Sequence, residues 1–259
     1  MRIAAVFLVA VLLSGCTAAP RATTAAGSTS PASRAPASAT GTVSPTTPPP
    51  TPTPSPSPTG AVRYVAIGAS DTVGVGATDP TSGSWPARVA ALLPAGSAYV
   101  NRGVSGSIAI QAKDQQLPGA IAQKPTVVSI WLAVNDLNAT IQPDSYRDAL
   151  GTIVDGLVTR TDGKIFIGNV PDVRSVPAYA NADKDLLLAQ INAYNAAIAG
   201  VIAKYPGRAF AVDLFTGSAG LVSTITVSGD GFHPSDDGYR LIADRFITAM
   251  RANGVPLKP

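Results

Sequence analysis

The sequence predicts an α/β fold: a three-layer αβα sandwich around a mainly parallel sheet of roughly five strands. Three observations predict it. Short apolar runs alternate with longer helical patterns along residues 61–259, and such alternation means βαβ crossovers and a sheet covered on both faces. The run Thr126-Val127-Val128-Ser129-Ile130-Trp131-Leu132 is β-branched and almost uninterrupted, as a strand buried on both sides requires. The segment 61–259 also spans 199 residues, enough for one domain with a sizeable core.

The elements follow in order. Arg63-Tyr64-Val65-Ala66-Ile67 reads as a buried strand stopped by Gly68. Trp85 to Leu93 reads as a helix, with Pro86 tolerated in its first turn. Ala98-Tyr99-Val100 is a second strand, ended by Asn101-Arg102-Gly103. Ile108 to Leu117 is a weaker helical pattern, and Thr126 to Leu132 is the third strand. Pro143 to Thr159 is amphipathic and helical. Lys164-Ile165-Phe166-Ile167 is the fourth strand, ended by Gly168-Asn169. Asp183 to Lys204 is a long helix, and Ala209 to Leu214 a fifth strand. Ser235 to Ala252 closes the chain as a helix, with Ser235 as its cap.

The N-terminal sixty residues have a different character. Arg2 precedes an apolar stretch, Ile3 to Leu13, too short for a bilayer span of roughly 20 residues but suited to a signal-peptide core. It ends in Leu13-Ser14-Gly15-Cys16, which resembles the bacterial lipobox, and Cys16 is the only cysteine in the chain. The resemblance implies a signal peptide over 1–15, lipidation of Cys16, and export to the outer face of the cytoplasmic membrane or the cell surface, held there by acyl chains. Residues 16–60 read as a linker. From residue 17 onward it holds 11 Pro and 18 Ser or Thr among 44 residues, with no acidic or aromatic residue. It cannot bury enough apolar surface to offset its ordering entropy. The run Pro48 to Pro54 favours polyproline II, which makes a semi-rigid stalk.

Composition narrows the chemistry. The chain has one His, one Cys, and 16 acidic residues that are all Asp. Sites needing several histidines or cysteines are excluded within one chain. Any imidazole base must be His233. The formal charge of +3 is due to Arg2, Arg21 and Arg34, because residues 61–259 carry 16 basic and 16 acidic side chains. No basic run stands ready to bind a phosphate backbone, so a nucleic-acid partner is not expected.

In a doubly wound sheet, ligands bind beyond the carboxyl ends of the strands. The first such turn is Gly68-Ala69-Ser70-Asp71-Thr72-Val73-Gly74-Val75-Gly76. It lacks the third glycine and the distal acid of a dinucleotide fingerprint, and Thr72 stands where a nucleophile elbow needs glycine. By itself Ser70 reads equally as a loop serine. The third turn, Ala133-Val134-Asn135-Asp136, by itself reads as a turn former, and Gly103 as a residue that permits positive φ. The last segment is Asp230-Gly231-Phe232-His233-Pro234-Ser235. Here a carboxylate three residues from an imidazole can fix its tautomer and leave the other nitrogen to take a proton.

Together these segments resemble the SGNH, or GDSL-type, hydrolase superfamily. Gly68, Ser70, Thr72, Gly74 and Gly76 match the first block, Gly103 the second, Asn135 and Asp136 the third, and Asp230, His233 and Pro234 the last. Asp237-Gly238-Tyr239 and Asn169-Val170-Pro171-Asp172 are also in family style. Two residues depart from it: Ala69 replaces an Asp, and Ala133 replaces a Gly. Asp71 occupies the place of the name-giving Leu and reads as a solvated loop carboxylate. The resemblance implies a flavodoxin-like fold and a serine ester hydrolase. Ser70 would be the nucleophile, His233 the base and Asp230 its orienting partner. The oxyanion hole would comprise the Ser70 and Gly103 N–H groups and the Asn135 amide. No cofactor or metal is implied. The substrate would be a small acyl ester or an O-acylated glycan or lipid. An acyltransferase and a non-catalytic glycan-binding module are the alternatives.

Overall fold

Alternation along the strands decides which helices cover which face of the sheet. In the computed structural model, which describes residues 60–221 and 225–259, β1 is Arg63–Gly68, β2 Ala98–Asn101, β3 Val127–Trp131, β4 Lys164–Gly168 and β5 Ala209–Val212. The expected signal peptide, Cys16 and linker residues 16–59 lie outside the described residues. All four strand pairings are parallel, in the order β2-β1-β3-β4-β5. This is the expected α/β sandwich with its five-stranded parallel sheet. Successive strand side chains point to opposite faces. Val65, Ile67, Val128, Ile130, Ile165 and Ile167 therefore enter one core cluster, while Tyr64, Ala66, Val127, Trp131 and Phe166 enter the other.

The first cluster is covered by α4 (Ala109–Gln115), α5 (Leu117–Ala122), α7 (Pro143–Arg160) and α8 (Lys184–Ile202). Leu187, Ile191, Tyr194, Ile198 and Val201 give α8 a single buried face at helical spacing. The second cluster lies under α3 (Trp85–Ala91) and α9 (Asp236–Ala252). Trp85 stacks on Phe246 with centroids 4.1 Å apart and meets Trp131 edge-on. These buried rings pin both helices to the sheet. Ser129 also faces this side, and its hydroxyl lies 2.8 Å from the buried Tyr64 hydroxyl, which satisfies both groups.

The predicted ends hold to within two residues for most elements. Ser235 caps α9, accepting the Gly238 N–H on its side-chain oxygen. The weaker helix over Ile108 to Leu117 is divided. α4 stops at Gln115 and α5 restarts at Leu117, because Pro118 fits only the first turn of a new helix. Single helical turns appear where loops were expected: α1 (Ser70–Val73), α2 (Pro80–Gly83) and α6 (Val134–Asn138).

Strand order reverses between β1 and β3, which are neighbours while β2 lies on the outer side of β1. Their carboxyl ends diverge into loops on opposite faces, and a crevice opens there. Ser70 follows β1 and Asn135 follows β3, so both stand at this crevice.

Candidate active site

Ser70 is the first residue of α1 and is buried; Gly68 and Ala69 bring it off the end of β1. Gly68 is held from both sides by the buried Gln116, whose Oε1 accepts the Gly68 N–H at 3.0 Å and whose Nε2 donates to its carbonyl at 2.9 Å. A Cβ on Gly68 would lie 2.0 Å from Thr72 Oγ1 and 2.7 Å from the Trp131 carbonyl. Only glycine allows the turn to close against β3.

His233 is 163 residues further along, yet its Nε2 lies 2.9 Å from Ser70 Oγ. Its Nδ1 lies 2.5 Å from Asp230 Oδ2. The other Asp230 oxygen accepts the N–H groups of Phe232 and His233 and the hydroxyl of Ser228 at 2.8–2.9 Å. Burial would raise the Asp230 pKa. The hydrogen bonds from the His233 ring, the Phe232 N–H, the Ser228 hydroxyl and the His233 N–H outweigh that and hold it well below the usual carboxylate range. The imidazole thus faces a persistent anion on one nitrogen and a hydroxyl on the other.

The loop bearing His233 is secured against the glycine-rich turn. The Tyr239 hydroxyl donates to the Val75 carbonyl at 2.5 Å, and Asp236 accepts from the N–H and hydroxyl of Thr78. A Cβ on Gly76 (φ +97°) would meet the Pro234 carbonyl at 2.5 Å, and one on Gly238 would meet the Thr226 carbonyl at 2.2 Å. Gly76 lets the glycine-rich turn meet the Pro234 backbone, and Gly238 lets the start of α9 meet the Thr226 backbone.

The expected oxyanion donors are less uniform. The Ser70 N–H opens the first turn of α1, where it has no intrahelical acceptor. Asn135 Nδ2 donates one hydrogen to the Ser107 carbonyl at 3.1 Å, which orients the amide and leaves its second hydrogen for another acceptor. The Gly103 N–H is donated to Asn101 Oδ1 at 2.9 Å, so it is engaged in this structure. Asp136 is a support rather than a reacting group. Its buried carboxylate receives the Ala109 N–H and ties α4 to α6, and burial pushes its pKa up to about 6. Asn169 and Asp172 are also structural. Asn169 bridges the ends of β4 and β5 through the Leu214 N–H and the Asp213 carboxylate. Asp172 pairs with Arg174 at 2.7 Å.

Asp71 differs from expectation. It does not project into solvent. It lines a cleft with Ala69, Trp131, Leu132, Val134 and Asn135. It also lines an adjoining cavity of about 130 Å³ with mostly apolar walls, among them Trp131, Val176, Tyr179 and Phe232. Its side chain is half-buried and borders these voids, and the surrounding protein desolvates its charge. Burial raises its pKa to about 6, and the nearby His233 opposes part of that rise. Gln116, Asn101 and Ser228, unlike Asp71, were not singled out in the sequence. Gln116 and Asn101 act on the distant Gly68 and Thr72 backbones, and Ser228 supports the nearby Asp230.

Ala69 leaves α1 without a side-chain cap. Ala133 has φ +90° and ψ −36°, a conformation that favours glycine and strains a residue with a Cβ.

The profile of the GDSL-like Lipase/Acylhydrolase family matches residues 66–241. No curated protein matches the sequence. Among solved structures, an acetylxylan esterase from Geobacillus stearothermophilus is similar, with 21% identity and a TM-score of 0.59 over 75% of this chain and 95% of that one. A family 3 carbohydrate esterase from Clostridium thermocellum gives 19% and 0.57 over 74% and 96%. The psychrotrophic esterase EstA from a Pseudoalteromonas species gives 14% and 0.57 over 74% and 97%. At these identities the structures show a shared fold.

The strain at Ala133 is testable. Relief of about 1–3 kcal/mol of backbone strain, less about 0.4–1 kcal/mol for the more flexible unfolded chain, predicts that Ala133→Gly raises unfolding free energy by about 1 kcal/mol. Urea denaturation would measure it, and a loss of stability would show that the position is unstrained.

Proposed function

This chain belongs to the GDSL-like lipase/acylhydrolase family of SGNH-type carboxylic-ester hydrolases, and we propose that it is an exported, membrane-tethered serine esterase with Ser70 as nucleophile. The observation that carries the reading is the unbroken chain of hydrogen bonds from Ser70 Oγ through both ring nitrogens of His233 to Asp230. A serine hydroxyl is a weak nucleophile, and a base oriented by a third group is what activates it.

In this mechanism Ser70 Oγ attacks the acyl carbonyl as its proton passes to His233 Nε2. Asp230 stabilises the resulting imidazolium and holds its Nδ1–H. The tetrahedral oxyanion is met by the Ser70 N–H and the second amide hydrogen of Asn135. Gly103 joins them by sharing or releasing its bond to Asn101. Collapse breaks the bond to the alcohol, which takes the proton from Nε2, and the acyl group remains on Ser70. Water then attacks with Nε2 as base, and the carboxylic acid departs with Ser70 restored.

The apolar cavity beside Asp71 supports an acyl or alcohol group larger than acetyl. The tether rests on the sequence: Cys16 carries the acyl chains, and the proline-rich stalk holds the domain off the membrane.

Two experiments test this. With p-nitrophenyl esters from acetate to octanoate, Ser70→Ala is expected to leave only trace turnover, and Asn135→Ala to lower kcat about 100- to 1000-fold without loss of folding. Rates should peak beyond acetate; a steep fall from acetate would point to O-acetylated glycans, and near wild-type turnover by Asn135→Ala would remove that residue from the hole. Separately, Cys16→Ser is expected to move the protein from the membrane to the soluble fraction of a bacterial host; unchanged fractionation would refute the lipid tether.

A further inference from the structure

Asp71 is a charge in an unusual place. It follows the proposed nucleophile directly and borders both voids of the site. The cleft contains Asn135, and the cavity is walled by Trp131, Tyr179 and Phe232. Among the described residues its carboxylate has no ion-pair or side-chain hydrogen-bond partner, and only its own backbone N–H acts as a donor to it. Other carboxylates around the site are committed. Asp230 accepts from four donors, Asp172 is held by Arg174, and Asp136 by the Ala109 N–H. An unpartnered carboxylate facing apolar walls costs stability, and a ligand that supplies the missing positive charge recovers that cost on binding.

The walls narrow the class of ligand. Indole, phenol and phenyl rings line the same cavity, with Tyr179 and Phe232 centroids 6.2 Å apart. Aromatic faces attract cations, and weakly hydrated quaternary ammonium groups most readily reach such a surface. The cavity is also polarised. Arg245 lines it as well, but from α9 beside the end of β5, where its guanidinium donates to the carbonyls of Asp213 and Thr216. Strands β1 and β5 are three places apart in the sheet, roughly 14 Å at the usual strand spacing. Asp71 therefore stands at the end next to Ser70 and Arg245 at the far end, and Asp172, which also lines the cavity, is already paired with Arg174.

We propose that Asp71, with Trp131, Tyr179 and Phe232, forms a subsite that selects esters carrying a cationic, alkylammonium-type group close to the scissile bond. This rests on the serine-esterase reading above and adds a substrate class to it. Asp71 is then a specificity residue, one that touches the substrate away from the reacting atoms.

The charged groups around Asp71 are His233 and Asp230 from the loop before α9, with the phenols of Tyr179 and Tyr239 beside it. An ionised Asp71 is required to bind a cation, so discrimination should grow as pH rises through about 6, where Asp71 loses its proton. Taking the ratio between two substrates cancels the pH dependence of the catalytic steps common to both.

The experiment compares butyrylcholine with its isosteric neutral counterpart, 3,3-dimethylbutyl butyrate, and a 4-(trimethylammonio)butyrate ester with its neutral 5,5-dimethylhexanoate counterpart. The first pair places the cation on the alcohol, the second on the acyl group. The full chain is used in detergent. In at least one pair, kcat/KM should favour the cationic ester about tenfold or more, and Asp71→Asn should remove that preference, as should Asp71→Leu. Binding of butyltrimethylammonium, read by the fluorescence of Trp131 in the cavity wall, should weaken about tenfold or more in Asp71→Asn and strengthen as pH rises through about 6. Ser70-dependent hydrolysis of neutral esters, with ratios near one in both pairs or ratios unmoved by the Asp71 variants, would overturn the subsite and leave the esterase standing. Loss of Ser70-dependent turnover on every ester would overturn the esterase, and the ammonium titration would then decide the subsite alone: no Asp71-dependent binding would overturn it.

Discussion

The site depends on one backbone contact, that between the glycine-rich turn after β1 and the segment from Pro234 to Tyr239 that opens α9. Gly76 lets the two approach, and the Tyr239 hydroxyl and the Asp236 carboxylate bond the second to the first. Without that approach Ser70 and His233 would be ends of unrelated loops. With it, a serine on one turn and an imidazole on another share a hydrogen bond across 163 residues. The buried stack of Trp85 on Phe246 supports this from below, because it fixes α9, and so its N-terminus, against the sheet.

The polar groups of the site follow a division of labour set by burial. Two buried ones are engaged: Gln116 grips the Gly68 backbone, and Asp136 holds the start of α4. The more open Asp230 is kept anionic by four donors. Asp71 differs from these carboxylates, since it is desolvated and yet has no side-chain or ion-pair partner among the described residues. In a protein whose other carboxylates near the site are satisfied, that imbalance points outward, to a ligand that completes it.

Much of the fold was legible in the sequence because its signals are local and periodic. The β-branched run at Val127–Trp131 and the spaced apolar face of α8 each identify an element without reference to the rest. The candidate site was legible for a different reason: Ser70 and Asn135 alone read equally as ordinary loop residues, and only the order of the segments bearing Ser70, Gly103, Asn135, Asp230 and His233 resembles the family's blocks. Most of what was not legible depends on distant parts of the chain. The single turns α1 and α6 have no apolar period and are held by neighbours. The break between α4 and α5 follows from Pro118 inside an otherwise continuous pattern. Asp71 looked like a solvated loop residue because the loops that cover it come after β4 and β5, a hundred or more positions away. Ala133 gave no sign of its backbone strain except through the glycine it replaces in the family pattern.

The most direct test of the central account is covalent trapping. A p-nitrophenyl alkylphosphonate, which mimics the tetrahedral intermediate, would be incubated with the full chain and the modified residue located by peptide mass spectrometry. The account predicts a single phosphonylated serine, Ser70, with labelling largely abolished in His233→Ala and sharply slowed in Asp230→Asn. Labelling at another residue, or equally fast labelling of Ser70 without His233, would contradict it.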